Sequence, residues 1–127
     1  MATGSAKTTF SANRTLDYNL ANGTTYYVAL HSADPGAEGA NSELAGNNYA
    51  RVACSNWPNA ASKSKSNGAA VAFAAPSANW TTPTYWSLWT AVSGGSCIYH
   101  DVITTPIACP QGSNPAFAIG AIVIQEA

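Results

Sequence analysis

Charged side chains are scarce in this 127-residue chain: five Lys and Arg and six Asp and Glu make up 9% of it, against roughly a quarter in ordinary soluble proteins. With no cluster of basic residues to displace counterions from a phosphate backbone, nucleic-acid binding is excluded. Long apolar runs are missing too. None approaches the ~20 residues of a membrane-spanning helix, and the N-terminus shows no basic region followed by a hydrophobic core, so neither a membrane partner nor secretion by a signal peptide is expected. The three cysteines, Cys54, Cys97 and Cys109, are too few and too irregularly spaced for a disulfide framework or a zinc site. They read as buried free thiols, with a bond between Cys97 and Cys109 left open because spacing alone does not decide it.

Chemistry-bearing patterns are equally sparse. The two histidines are His31 and His100. His100 and Asp101 are neighbours in an extended segment and point to opposite faces, which prevents them from acting as an acid-base pair. His31 is within reach of Asp34 across a turn, and otherwise reads as a histidine satisfied by its surroundings. There is no Gly-x-Ser-x-Gly elbow, no phosphate-cradling glycine loop and no pair of carboxylates at useful spacing. Asp34, Glu38 and Glu43 lack the spacing of a calcium loop. No enzyme activity, metal or other cofactor is expected.

What the chain has instead is small neutral residues: Ala, Ser, Thr and Asn supply nearly half of it. Its length fits one domain with one core. A freely diffusing domain keeps apart from its neighbours with mixed surface charge; a nearly uncharged skin fits a chain docked against other copies or a larger shell.

The surest strand is Thr25 to Ser32, in which Tyr26, Val28 and Leu30 alternate with Tyr27, Ala29 and His31, so that both faces are apolar and the strand is central. Asp34-Pro-Gly36 breaks it. Before it, residues 1–10 read as an N-terminal arm, and residues 11–127 as the single domain. Ser11 caps a short helix over 11–22 that Gly23 stops, with Leu16 and Leu20 stacked at i, i+4. Further strands are expected at Tyr49–Ser55, where Arg51 pairs with a loop acid, at Ala69–Ala74, and at Thr84–Ala91, with Trp86 and Leu88 in the core. Ser93-Gly-Gly-Ser96 makes a hairpin into Cys97–Val102. A short strand at Thr104–Cys109, interrupted by Pro106 and so an edge or a bend, and a long one at Pro115–Gln125 complete the set. Ala61 to Gly68, with Lys63 and Lys65, reads as a solvated loop. Seven or eight short strands separated by turns predict an all-β fold, an antiparallel sandwich or jelly roll.

Several of these stretches, in order over residues 25–124, resemble a family of small β-rich bacteriophage virion proteins found as capsid-decorating or tail-associated components. They are Tyr27-Val-Ala-Leu-His-Ser-Ala-Asp-Pro-Gly36, a Gly-rich loop with Glu43, Asn48-Tyr-Ala-Arg-Val52 and Ala70-Val-Ala-Phe-Ala-Ala75. Tyr85-Trp86, the Gly-Gly hairpin into Cys97-Ile-Tyr99, Ile103-Thr-Thr-Pro106 and Pro115-Ala-Phe-Ala-Ile-Gly-Ala-Ile-Val123 follow. The resemblance implies a virion component without an active site, assembled in the bacterial host cytoplasm.

The leading expectation is a capsid cement protein that forms a dimer or trimer and bridges major capsid protein subunits, stabilising the shell by binding only its assembled state. The alternative is a tail fibre or baseplate domain that docks on other tail proteins and binds host glycan through exposed aromatics. Candidate interface residues are Phe10, Arg14, Asp34, Glu38, Glu43, Trp57, Lys63, Lys65, Trp80 and Trp89. Trp57, Trp80 and Trp89 would stack on sugar rings if exposed, and would fill the core or a subunit contact if not.

Overall fold

The computed structural model describes residues 6–126. Among the described residues run one helix and eight strands: α1 (Thr9–Asn19), β1 (Tyr26–His31), β2 (Val52–Cys54), β3 (Ser64–Ser66), β4 (Val71–Ala72), β5 (Tyr85–Trp89), β6 (Cys97–Val102), β7 (Ala116–Phe117) and β8 (Val123–Gln125). All strand pairings are antiparallel. A four-stranded sheet in the order β2-β1-β5-β6 is joined by two ribbons, β3-β8 and β4-β7. The fold is thus β-rich with one short helix. Its strands are divided into one sheet and two ribbons, whereas a jelly roll divides eight strands between two sheets.

β1 is central, as its two apolar faces predict: Tyr26, Val28, Ala29, Leu30 and His31 are all buried. On one side of the sheet, Tyr26, Val28, Leu30, Trp86 and Leu88 meet Leu16 and Leu20 of the helical segment, Trp57, Phe73, Phe117, Ile122 and Ile124 in a single core. On the opposite side His31 bonds to Asn41 O of the segment after β1, and Trp89 lies under the Arg51 guanidinium. In the plane of the sheet, Leu44 N–H donates to Leu30 O, Ser32 N–H donates to Ser42 O, and Glu43 bridges to His31, so residues 42–44 extend the ladder where β2 has ended.

The helix starts earlier than the sequence suggests. Thr8, in extended conformation, accepts a hydrogen bond from Ser11 N–H through Oγ1 at 3.1 Å, and so it is Thr8 and not Ser11 that satisfies a free amide of the first turn. Thr9 and Phe10, assigned to the arm from sequence, are therefore the first two helical residues; residues 1–5 of that arm lie outside the described residues. The helix ends at Asn19, three residues short of the expected Asn22. Ala12 and Leu16 form its buried stripe.

Three other stretches differ from expectation. The supposed solvated loop at 61–68 contains β3, which pairs with β8 and carries Lys65 inward. Thr104–Cys109 contains no strand, consistent with Pro106 removing a ladder donor. The long final strand is two short ones, β7 and β8, because the chain turns at Gly120 (φ +80°) around the buried side chain of Asn67. Asn67 Nδ2 donates to Ala69 O and Ala118 O, and its Oδ1 accepts from Ile122 N–H. The hairpin between β5 and β6 forms as predicted, with Gly94 and Gly95 both at positive φ.

Candidate assembly interface

The residues singled out in the sequence separate into an interior set and a surface set. Trp57, Trp80 and Trp89 are 0%, 7% and 5% exposed, so of their two expected placements they take the interior one, and their faces are not open to a sugar. Each indole N–H has found an acceptor there, which is what lets a tryptophan be buried at little cost. Trp57 Nε1 donates to Cys54 O, Trp80 Nε1 to Asn47 O, and Trp89 Nε1 to Ser87 Oγ. Trp80 also packs edge-on to Tyr49, with ring centroids 5.5 Å apart.

Lys65 is likewise interior. Its ammonium is buried and meets Asp17 Oδ1 of α1 at 2.7 Å, while the same carboxylate oxygen accepts Ala60 N–H. Burial alone would raise the Asp17 carboxyl, but the Lys65 and Ala60 hydrogen bonds and the Lys65 charge outweigh it and hold the group below its ordinary value. The pair pins the helix to β3. A lysine between two serines reads as solvated in sequence because nothing local reveals a carboxylate 48 positions away.

Glu43 and Arg51 pair, as expected for a strand cation beside an acidic loop. Arg51 Nε and Nη2 grip the two oxygens of Glu43 at 3.0 and 2.9 Å, its Nη1 donates to Ala91 O and Gly94 O, and the guanidinium lies 4.0 Å over the Trp89 ring. Tyr49 completes the group, its hydroxyl donating to Glu43 Oε2 and accepting from Leu30 N–H. Burial raises the Tyr49 hydroxyl well above its ordinary range; the Glu43 carboxyl, which burial would raise, is brought below its usual value by Arg51 and Tyr49. These contacts tie the long loop, β1 and the β5–β6 hairpin together.

His31 is a core residue bonded to Asn41 and Ser87, and Asp34 is not its partner. Nδ1 faces Asn41 O at 2.7 Å, and a carbonyl can only accept, so Nδ1 carries the proton. Nε2 is then an acceptor for Ser87 O–H at 2.6 Å, and Ser87 Oγ in turn accepts from Trp89. Burial lowers the His31 value below that of a free histidine. Cys54, Cys97 and Cys109 are all free thiols, and burial pushes Cys97 and Cys109 upward, away from thiolate reactivity.

The surface set is smaller. Asp34 and Glu38 are exposed on the long loop, where Asp34 Oδ1 accepts Gly36 N–H in a local turn. Lys63 is half-buried at the start of β3 and makes no ion pair among the described residues. Phe10 and Arg14 come together on the outer face of α1, the guanidinium 5.4 Å over the ring. Tyr18, which sequence reading passed over, continues the same stripe at i+8 and is 87% exposed; Phe10 is 70% exposed. The signal was available as the i, i+4, i+8 spacing of Phe10, Arg14 and Tyr18. It was hidden by the later start assumed for the helix.

A groove was also illegible in sequence. It lies between the end of β6, the outer strand of the sheet, and the β7–β8 segment, with a volume of about 860 Å³, within the size range of binding pockets. Trp86, Ile103, Phe117 and Val123 contribute apolar surface, and Asp101 is its one charged member. Val102 and Val123, both lining it, are 46% and 41% exposed. Large aromatic and aliphatic side chains left in solvent mark contact surfaces when they cluster.

No curated protein matches the chain. The family model described as podophage GP4 fiber I protein gp80 matches residues 6–125, nearly its whole length. The expected kinship with small bacteriophage virion proteins is thereby established, and the chain belongs to the podophage GP4 fiber I protein gp80 family, a structural component of a phage particle.

Proposed function

We propose that the protein is a tail fiber building block that works by docking on other tail proteins, without catalysis. The observation that carries this reading is the match to a fiber family over residues 6–125. It supports the tail placement, held as the alternative in the sequence, over the capsid cement role. Two features of the molecule agree with it. The few charged and aromatic groups that resembled a site are consumed internally by Glu43–Arg51–Trp89 and Asp17–Lys65, and among the described residues four of the six large exposed apolar side chains, Phe10, Tyr18, Val102 and Val123, lie on α1 or at the β6–β8 groove. Both surfaces suit protein partners. Glycan recognition by Trp57, Trp80 and Trp89 has no support, since a sugar cannot reach those rings.

Copy number tests the reading. Quantitative mass spectrometry of purified virions, with the major capsid protein as internal reference, is expected to give a few to tens of copies per particle. Hundreds of copies, in a fixed ratio to the major capsid protein, would return the protein to the capsid surface.

A further inference from the structure

The chain has so few charges that each can be accounted for. Of the five cations, Lys7 pairs with Glu126, Arg51 with Glu43 and Lys65 with Asp17. Among the described residues this leaves Arg14 and Lys63 without a carboxylate, and Asp34, Glu38 and Asp101 without a cation. Two of these leftover charges sit within apolar surface. Arg14 stands between Phe10 and Tyr18 on the exposed stripe of α1, and Asp101 lines the groove beside Val102, Phe117 and Val123. One surface carries two exposed aromatic rings around a positive charge, the other is a groove of mixed polar and apolar lining with a single negative one.

We infer that the Phe10–Arg14–Tyr18 stripe of one copy seats in the β6–β8 groove of a second copy, with Arg14 meeting Asp101. Exposed aromatic anchors beside a charge that meets its opposite on the partner are the kind of contact that concentrates binding energy in protein interfaces. Stripe and groove are different surfaces, and two copies exchange them about a two-fold axis, the stripe of each in the groove of the other, as one isologous contact. This goes beyond the fiber reading, and the two fail separately, since virion copy number tests that reading and association of the purified chain tests this one.

The experiment is sedimentation velocity on the full chain and on Arg14→Asp, Asp101→Arg and the combined variant, with circular dichroism as the control for folding. The wild type is expected to self-associate. Each single reversal places like charges together and weakens association at least about tenfold. The combined variant, and an equimolar mixture of the two single variants, recover it. Tyr18→Ser, at a side chain 87% exposed and so harmless to the fold, weakens association without any change of charge. A wild type that stays monomeric to its solubility limit overturns the inference. So do single reversals that associate like wild type, or reversals that weaken association but are not rescued by mixing.

Discussion

At His31, protonation would aim a second N–H at Ser87 Oγ, which already accepts Trp89 Nε1–H and would lose the acceptor for its own proton. The folded protein therefore prefers the neutral ring, and its value falls below the 6.5 of a free histidine. The unfolded chain binds the proton more readily, so stability is complete above about pH 6.5 and is lost as pH falls below it. Glu43 adds to the loss at lower pH: its folded value lies under 4.5, and its contribution disappears as pH falls through that folded value. Thermal melts from about pH 7.5 to about pH 5 are expected to show a declining Tm that a His31→Gln variant, whatever its baseline, does not reproduce. Arg51 is the second single-residue test. Arg51→Ala strips Glu43 of its partner beneath the loop and should cost about 3–5 kcal/mol in denaturant titration. Arg51→Lys should restore little of it, since an ammonium cannot grip two carboxylate oxygens while lying flat on Trp89.

Among the elements, β1, β5, β6 and the Gly-Gly hairpin were legible because local pattern and long-range packing agree there. Their alternation is strong, and the turn between β5 and β6 needs the positive φ that Gly94 and Gly95 supply. Elements whose form depends on distant partners were not. β3 is inward-facing because Asp17 waits on the helix, and the last strand is cut in two because Asn67 reaches 51 and 55 positions along the chain to the backbone of the turn. Asp17→Ala should leave the Lys65 ammonium unpaired and, with Asp17 itself partly exposed, cost about 2–3 kcal/mol, whereas Thr8→Ala, which loses only the cap, should cost about 1 kcal/mol. Asn67→Asp would turn a carboxylate oxygen toward Ala69 O and Ala118 O, where two N–H bonds stood. A loss of at least about 2 kcal/mol is expected, with hydrogen exchange rising first at Ile122 and Gly120, whose amides bond to Asn67.

For the whole molecule, scarcity of charge was the informative feature of the sequence, and it pointed to a particle component before any coordinates. Which aromatics would be outside was not readable. Trp57, Trp80 and Trp89 look like surface candidates only until each is seen to have a backbone or serine acceptor, while Phe10 and Tyr18 emerge as surface residues once Thr8 fixes the phase of α1. The fold thus encloses its polar clusters and leaves exposed apolar side chains on the helix and at the β6–β8 groove. Cryo-electron microscopy of intact virions tests this most directly. The account predicts density for this fold in the tail fiber, with Phe10 and Tyr18 covered by protein. Density for it on the capsid shell, or in the fiber with that helix face bare to solvent, would contradict it.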